Sequence, residues 1–280
     1  MSGRIDSSPT TAESVDFGRA TLRWRWRGYS LRTDRRAFVV ATALAIITVV
    51  TTVIALGAGD YTVSPLDVIR AAFGAGDPAA QLAIREWQAP RVVAALAFGA
   101  ALALSGAIFQ LLTRNPLGSP DIIGFGVGSY TGALVVSVVL SGTYLMTAAG
   151  ALAGGLLTAV VVYALAFRQG VSGFRLVIIG VAISAMLSAA NYWLILRAEL
   201  TDAMNAAQWG AGNLSTVTWD LLTPALAVIA VLIVGVAMLA RRNPILELGP
   251  DLGQTLGAQT RAVQILLPTL GVALTAAATA

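Results

Sequence analysis

The stretch AFVVATALAIITVVTTVIALG, residues 37–57, runs without one Asp, Glu or Arg. About 20 apolar residues are what a helix needs to cross the hydrocarbon core of a bilayer. Comparable stretches occupy 92–112, 122–140, 145–167, 176–196, 221–239 and, from 262, the end of the chain. A charge at the centre of such a helix costs about 2.5 to 3.5 kcal/mol on insertion scales, which explains why these cores hold none. Six read as complete spans and the seventh as short or cut. Strands of a membrane barrel would alternate polar and apolar residues, so the fold class is all-α, a polytopic membrane helix bundle. Two regions follow: a polar, Arg-rich leader at 1–36, where no packed core is expected, and a transmembrane domain at 37–280.

With 57% hydrophobic and 11% charged residues, the chain departs far from a soluble domain. It has no cysteine and no histidine, and every basic residue is arginine. Disulfide frameworks, thiolate metal sites, serine–histidine catalysis and histidine-ligated zinc are thereby excluded, and no carboxylate pair falls inside a span for an aspartyl mechanism. No metal site is expected. The pI near 10.0 suggests nucleic acid until the arginines are located. With the N-terminus inside, the inner segments hold the arginines of the leader together with Arg114, Arg168, Arg175, Arg241, Arg242 and Arg261. The outer segments hold only Arg70, Arg85, Arg91 and Arg197. The basic charge is a topology signal that puts the N-terminus in the cytoplasm, and no nucleic-acid partner is expected. In the leader, Arg23, Arg25 and Arg27 alternate with Trp24 and Trp26, a pattern suited to an interfacial anchor on anionic membrane lipid.

Between the second and third spans lies RNPLGSPDIIGFGVG, with Arg114, Asn115, Pro116, Leu117, Gly118, Pro120 and Asp121 in a cytoplasmic turn. Pro116 cannot continue the preceding helix. Ser119 as cap, Pro120 in the first turn and the Asp121 carboxylate at the positive end of the dipole predict a helix start. Gly124, Gly128 and Gly132 then recur every fourth residue, and Gly150 and Gly154 repeat the interval, a spacing that lets helix backbones approach closely. GFGVGS is not a phosphate loop, because no strand precedes it and the last glycine of that motif is absent.

On the outer side, Ser64 and Pro65 predict a short surface helix with Leu66, Ile69 and Phe73 on one face. The outer loop 198–220 carries Trp209 and Trp219, suited to the headgroup boundary. On the inner side, Gly249, Pro250, Asp251, Leu252, Leu256 and Gly257 mark a helix of two or three turns bracketed by glycine. By spacing it is either a docking element for a soluble partner or an ordinary capped loop helix. Gln110, Ser129, Tyr130, Ser184, Asn191 and Tyr192 are polar residues on the spans, and they either line a pathway or bond between helices.

Four stretches resemble the FecCD-like permeases of bacterial ABC importers for iron-siderophores, haem and cobalamin. They are EWQAPRVVAALAFGAALALSGAIFQLLTRNPLGSPDIIGFGVGS at 86–129, FRLVIIGVAIS at 174–184, WGAGNLS at 209–215 and LELGPDLGQTLGAQTRAVQ at 246–264. The run RNPLGSPDIIGF is most like the ferric enterobactin branch. The resemblance implies a ten-helix fold of which about six to seven helices are covered here, the family's C-terminal helices being absent. It implies a second permease subunit, identical or related, a dimer of cytoplasmic ATPases and an external substrate-binding protein. The segment 249–257 matches the family's coupling helix, which fits a cleft on the ATPase. The chain is then a transport subunit of the inner membrane, not an enzyme. It binds no cofactor itself, ATP being used by the partner, in keeping with the absence of a GxxxxGK[ST] run. Ferric siderophore is the expected cargo, with haem or cobalamin as the alternative and a secondary transporter the more distant one. The last is disfavoured by spans with no acid to carry a coupling ion.

Overall fold

The computed structural model describes residues 21–26, 29–59, 64–113, 115–116, 118–121, 124–166, 173–242 and 260–279. Its contacts divide the chain into two compact units, Met1–Ile69 and Arg70–Ala280.

The first unit opens on a feature absent from the sequence reading. Strands β1 (Thr21–Trp26) and β2 (Tyr29–Asp34) pair antiparallel, Thr21 opposite Asp34 and Trp26 opposite Tyr29. The period-two alternation of Leu22, Arg23, Trp24, Arg25 and Trp26 is the strand signal. β2 runs directly into α1 (Arg35–Gly57), where Asp34 is the N-cap and its Oδ1 accepts the Arg36 N–H at 2.9 Å. No residue of α1 is buried. Thr42, Thr48 and Thr51 each donate to a carbonyl one turn back at 2.9 Å, which satisfies their hydroxyls within the helix.

Helix α2 (Pro65–Ala72) starts as expected. Ser64 Oγ accepts the Asp67 N–H at 3.3 Å and donates to the Asp67 carboxylate at 2.7 Å. Its buried residues are Val68 and Ala71, whereas Leu66, Ile69 and Phe73 are exposed. Asp67 and Arg70 hold one exposed side of this helix, and of its apolar residues the smaller ones take the packed side.

In the second unit α3 (Pro78–Leu82), capped by Asp77, continues through a π-helical turn, Ala83–Gln88, into α4 (Ala89–Thr113). The bundle is completed by α5 (Phe125–Leu134) with a π-helical extension at Val135–Val139, α6 (Tyr144–Ala166), α7 (Gly173–Arg197), α8 (Leu200–Ala211), α9 (Trp219–Arg242) and α10 (Thr260–Thr279). Among the described residues five helices are long and apolar enough to cross a membrane.

The expected span at 122–140 is shorter than the sequence suggested. Its apolar helix covers Phe125–Val139, about 22 Å at about 1.5 Å per residue, less than the hydrocarbon thickness. The reason lies at its ends: Gly124 holds the left-handed region at φ 84° before the helix, and Ser141 turns the chain at φ 49° after it. The last apolar helix, Leu266–Thr279, is also short.

The core follows a seven-residue rhythm. Ala94, Ala101 and Ile108 of α4, Leu222, Ile229 and Val236 of α9, and Leu267 and Leu274 of α10 are all buried. Most of them form one cluster, so these three helices pack along side-chain ridges at coiled-coil-like spacing. A polar tie crosses that interface. Thr275 Oγ1 donates to Ser105 Oγ at 2.9 Å, and Ser105 Oγ donates to the Gly271 carbonyl at 2.7 Å, all fully buried. A second cluster of Phe109, Val162, Ala166 and Leu176 joins the C-terminal ends of α4 and α6 to the start of α7.

Candidate functional site

The turn after α4 is built by its own hydrogen bonds. Gln110 Nε2 donates to the Pro116 carbonyl at 2.9 Å, the Asn115 N–H to the Gln110 carbonyl at 3.3 Å and the Gly118 N–H to the Asn115 carbonyl at 2.9 Å. Thr113 Oγ1 returns to the Phe109 carbonyl at 2.7 Å. A Cβ at Gly118 would overlap that hydroxyl and stand 2.9 Å from the Phe109 carbonyl oxygen, so the chain folds back against α4 only because the residue is glycine. Arg114 and Leu117 lie outside the described residues.

Past the turn the helix start differs from expectation. Pro120 lies in a turn and does not open a helix, and the cap of α5 is Gly124 in place of Ser119. Residues 120–121 form a turn whose carbonyls accept the Phe125 and Gly124 N–H groups, and α5 begins at Phe125 with Gly124 as N-cap. Asp121 keeps its expected neighbourhood, since its Oδ1 lies 3.3 Å from where a Gly126 Cβ would sit, beside the first turn of α5.

Gly124 faces α7, and a Cβ there would sit 2.6 Å from Ser184 Oγ. Gly124→Ala therefore combines left-handed strain of about 1–2 kcal/mol with a steric clash. In thermal unfolding of the solubilised protein, Gly124→Ala is expected to be clearly destabilised. Adding Ser184→Ala recovers the clash and leaves the backbone cost, whereas equal loss in single and double variants would contradict this geometry.

Beyond Gly124, α5 and α6 meet backbone to backbone. A Cβ at Gly132 would overlap the Gly150 carbonyl oxygen, one at Gly154 the Gly128 carbonyl oxygen, and one at Gly128 the Thr158 hydroxyl. The two glycine series interleave antiparallel, Gly128 with Gly154 and Gly132 with Gly150, as the four-residue spacing implied.

The polar span residues fall into distinct surroundings. Gln110 closes the turn described above. Ser184 Oγ donates to the Gly180 carbonyl at 2.8 Å within its own helix. Tyr130 stacks on Trp209 with ring centroids 6.1 Å apart and planes inclined by 9°. Ser129 Oγ and Asn191 Oδ1 are buried with no hydrogen-bond partner among the described residues, and Tyr192 is 72% exposed. Gly249, Pro250, Asp251, Leu252, Leu256 and Gly257 lie outside the described residues.

At the opposite end of the unit, Arg85 is an organising residue that sequence reading treated only as an outer charge. Its Nε and Nη2 donate to the Ala72 carbonyl at 3.2 and 3.0 Å, capping the end of α2, and its own carbonyl accepts Trp219 Nε1 at 2.8 Å. Trp219 thus bonds within the protein instead of only meeting headgroups, and Trp209 is half-buried against Tyr130. Helix α8 replaces the expected loop. It ends at Gly212, whose φ of 76° and N–H bond to the Trp209 carbonyl form its C-cap, a glycine signal legible in WGAGNLS. Gly210 meets the Tyr130 ring, and Asn213 Oδ1 accepts the Ser215 N–H at 2.8 Å.

Residues 47–280 match the FecCD transport family. The chain belongs to that family. It is 40% identical over 247 residues to the ferric enterobactin transport system permease protein FepG of Escherichia coli K12, covering 88% of this chain and 75% of that one. The achromobactin transport system permease protein CbrC of Dickeya dadantii is 34% identical, covering 92% of this chain and 75% of the relative. Among solved structures, an inward-facing conformation of a metal-chelate type ABC transporter superposes with a TM-score of 0.72 at 26% identity, over 85% of this chain and 74% of the other. As a FecCD chain, this is a multi-pass membrane protein of the permease type, and the Gly-rich α5–α6 seam and the 115–121 turn are parts of a permease bundle.

Proposed function

We propose that this chain is a permease subunit of a bacterial ABC importer that moves ferric siderophores into the cytoplasm. The observation that carries the reading is its 40% identity to a ferric enterobactin permease across most of its length, followed by permeases for other siderophores. A cobalamin permease is also similar, at 33% identity, but covers only 71% of this chain.

In this reading the arginine bias sets the N-terminus in the cytoplasm and the protein in the inner membrane. A ferric siderophore is large and polar, so a bundle must expose a cavity first to one side and then to the other. The chain has no nucleotide-binding loop, and the energy comes from a pair of ATPase subunits on the cytoplasmic face. A binding protein delivers cargo on the outer face, and a second permease subunit, related but not identical, completes the pathway. The 249–257 segment docks on the ATPase. Of the polar span residues, Tyr192, Ser129 and Asn191 are the ones assigned to the pathway, Tyr192 by its exposure on α7, since Gln110, Ser184 and Tyr130 have intramolecular partners.

Uptake of radiolabelled ferric catecholate siderophore, ferric hydroxamate and cobalamin in cells with and without the gene tests the proposal. Loss of one ferric siderophore with cobalamin uptake untouched is the expected result. Loss of cobalamin uptake alone would overturn the cargo assignment.

A further inference from the structure

Pro90, in the first turn of α4, costs its helix a hydrogen-bond donor. In the π-helical turn Ala83–Gln88 the Ala89 N–H is taken by the Ile84 carbonyl, and proline has no N–H to offer. The Arg85 carbonyl, which either group would otherwise satisfy, is left without a donor in its own helix, and Trp219 Nε1 donates to it at 2.8 Å. The first turn of α9 is thereby fixed to the start of α4, and the buried Leu222 seats it.

Five residues after this anchor, Pro224 interrupts α9. It has no N–H for the Asp220 carbonyl and its ring crowds that carbonyl, the arrangement at which helices bend. Residues 225–242 then continue without another proline as a rod about 27 Å long at about 1.5 Å per residue. The rod is packed but not interlocked. Ile229 and Val236 cluster with Ala101, Ile108, Leu267 and Leu274, and a Cβ added at Gly235 would stand 3.6 Å from Leu270 Cδ2, an ordinary contact. Its two neighbours, by contrast, are joined to each other by the bonds of Ser105 with Thr275 and Gly271. α10 also holds a proline, Pro268, but only the short arm 260–267 lies on the side of it away from that tie.

We propose that α9 is a lever: Trp219 fixes its first turn, Pro224 is the hinge, and residues 225–242 swing against the tied pair α4–α10. The far end of the rod leads toward 249–257, so the lever rests on the importer reading above, in which that segment docks on the ATPase. A bend of about 20°, the size of a proline kink, carries the far end of such a rod about 9 Å.

The test uses the chain assembled with its ATPase, partner permease and binding protein in proteoliposomes. The sequence has no cysteine, so spin labels attach only at introduced pairs. Leu111→Cys with Met238→Cys reports the far ends of α4 and α9, and Glu86→Cys with Leu221→Cys the anchored ends, all four side chains being exposed. With ATP and vanadate the far pair is expected to shift by up to about 9 Å while the anchored pair holds its distance. Pro224→Ala restores a donor for the Asp220 carbonyl and introduces the best helix former, so the chain should fold at least as well, yet lose the far-pair shift and hydrolyse ATP without importing cargo. Trp219→Phe keeps the ring, removes the N–H and should let the anchored pair move as well. A far pair that stays still while ferric siderophore is imported would overturn the lever, as would a Pro224→Ala chain that shifts and imports like the unsubstituted one. An ATPase that does not assemble with the chain would overturn the importer reading, and the lever with it, so the two failures are told apart.

Discussion

Gly132→Leu is expected to abolish accumulation of folded protein in the membrane, and Gly132→Ala to cost about 3 kcal/mol of stability, the upper range for overpacking. A Cβ on Gly132 would overlap the Gly150 carbonyl oxygen and stand 2.8 Å from its carbon and 3.1 Å from the Gly154 Cα. Backbone atoms cannot rotate out of the way as a side chain can, so the helices must separate. Gly99 supplies the contrast, because nothing lies within 4 Å of a Cβ there. Gly99→Ala should be neutral or stabilising by up to about 1 kcal/mol through helix propensity. Detergent-solubilised thermal unfolding and membrane abundance read both. Equal behaviour of the two alanine variants would show that the α5–α6 seam is not the close contact described.

The second large effect concerns transport with the fold intact. Under the proposed coupling role, Leu252→Arg with Leu256→Arg leaves protein abundance unchanged and removes two apolar anchors from the ATPase cleft. Burying a leucine contributes about 1.5–3 kcal/mol, so losing two weakens docking by at least about a hundredfold. Siderophore uptake should fall accordingly, and the ATPase should no longer copurify. Bulky or opposite-charge replacements of Asp251 and Leu256 individually should uncouple hydrolysis from uptake. Normal uptake in the double variant would remove the coupling assignment and leave the bundle as described.

The long spans were legible because a bilayer leaves a helix few alternatives. A run such as 37–57 fixes length and secondary structure at once, and α1, α4, α6, α7 and α9 fall within a few residues of their expected bounds. The glycine spacing was equally direct, since only a close approach gives small residues at every fourth position their purpose. Where local signals competed, the sequence misled. Ser119, Pro120 and Asp121 satisfy every rule for a helix start, yet the chain turns once more so that Gly124 can meet α7. Trp209 and Trp219 look like headgroup residues by type, and only the tertiary fold reveals Tyr130 and the Arg85 carbonyl as their partners. The hairpin was present in the alternation of Trp and Arg, but composition drew attention to charge and away from period. Arg85 carried no local signal, because its partner at Ala72 is a carbonyl that any residue would supply.

The two kinds of interface in this bundle differ in what they permit. Where α9 packs on α4 and α10, Ile229 and Val236 meet Ile108, Leu267 and Leu274, and such side chains can change rotamers and accommodate a shift, whereas the Ser105–Thr275–Gly271 tie holds α4 to α10. Where Gly128 and Gly132 of α5 cross Gly154 and Gly150 of α6 no such layer intervenes, and carbonyl oxygens of one helix sit where the other has bare Cα atoms. Sliding by even one residue would set Cβ atoms against those oxygens. Under the proposed importer role, the α5–α6 pair is therefore expected to move as one piece, with changes of access taken up at the side-chain interfaces around it.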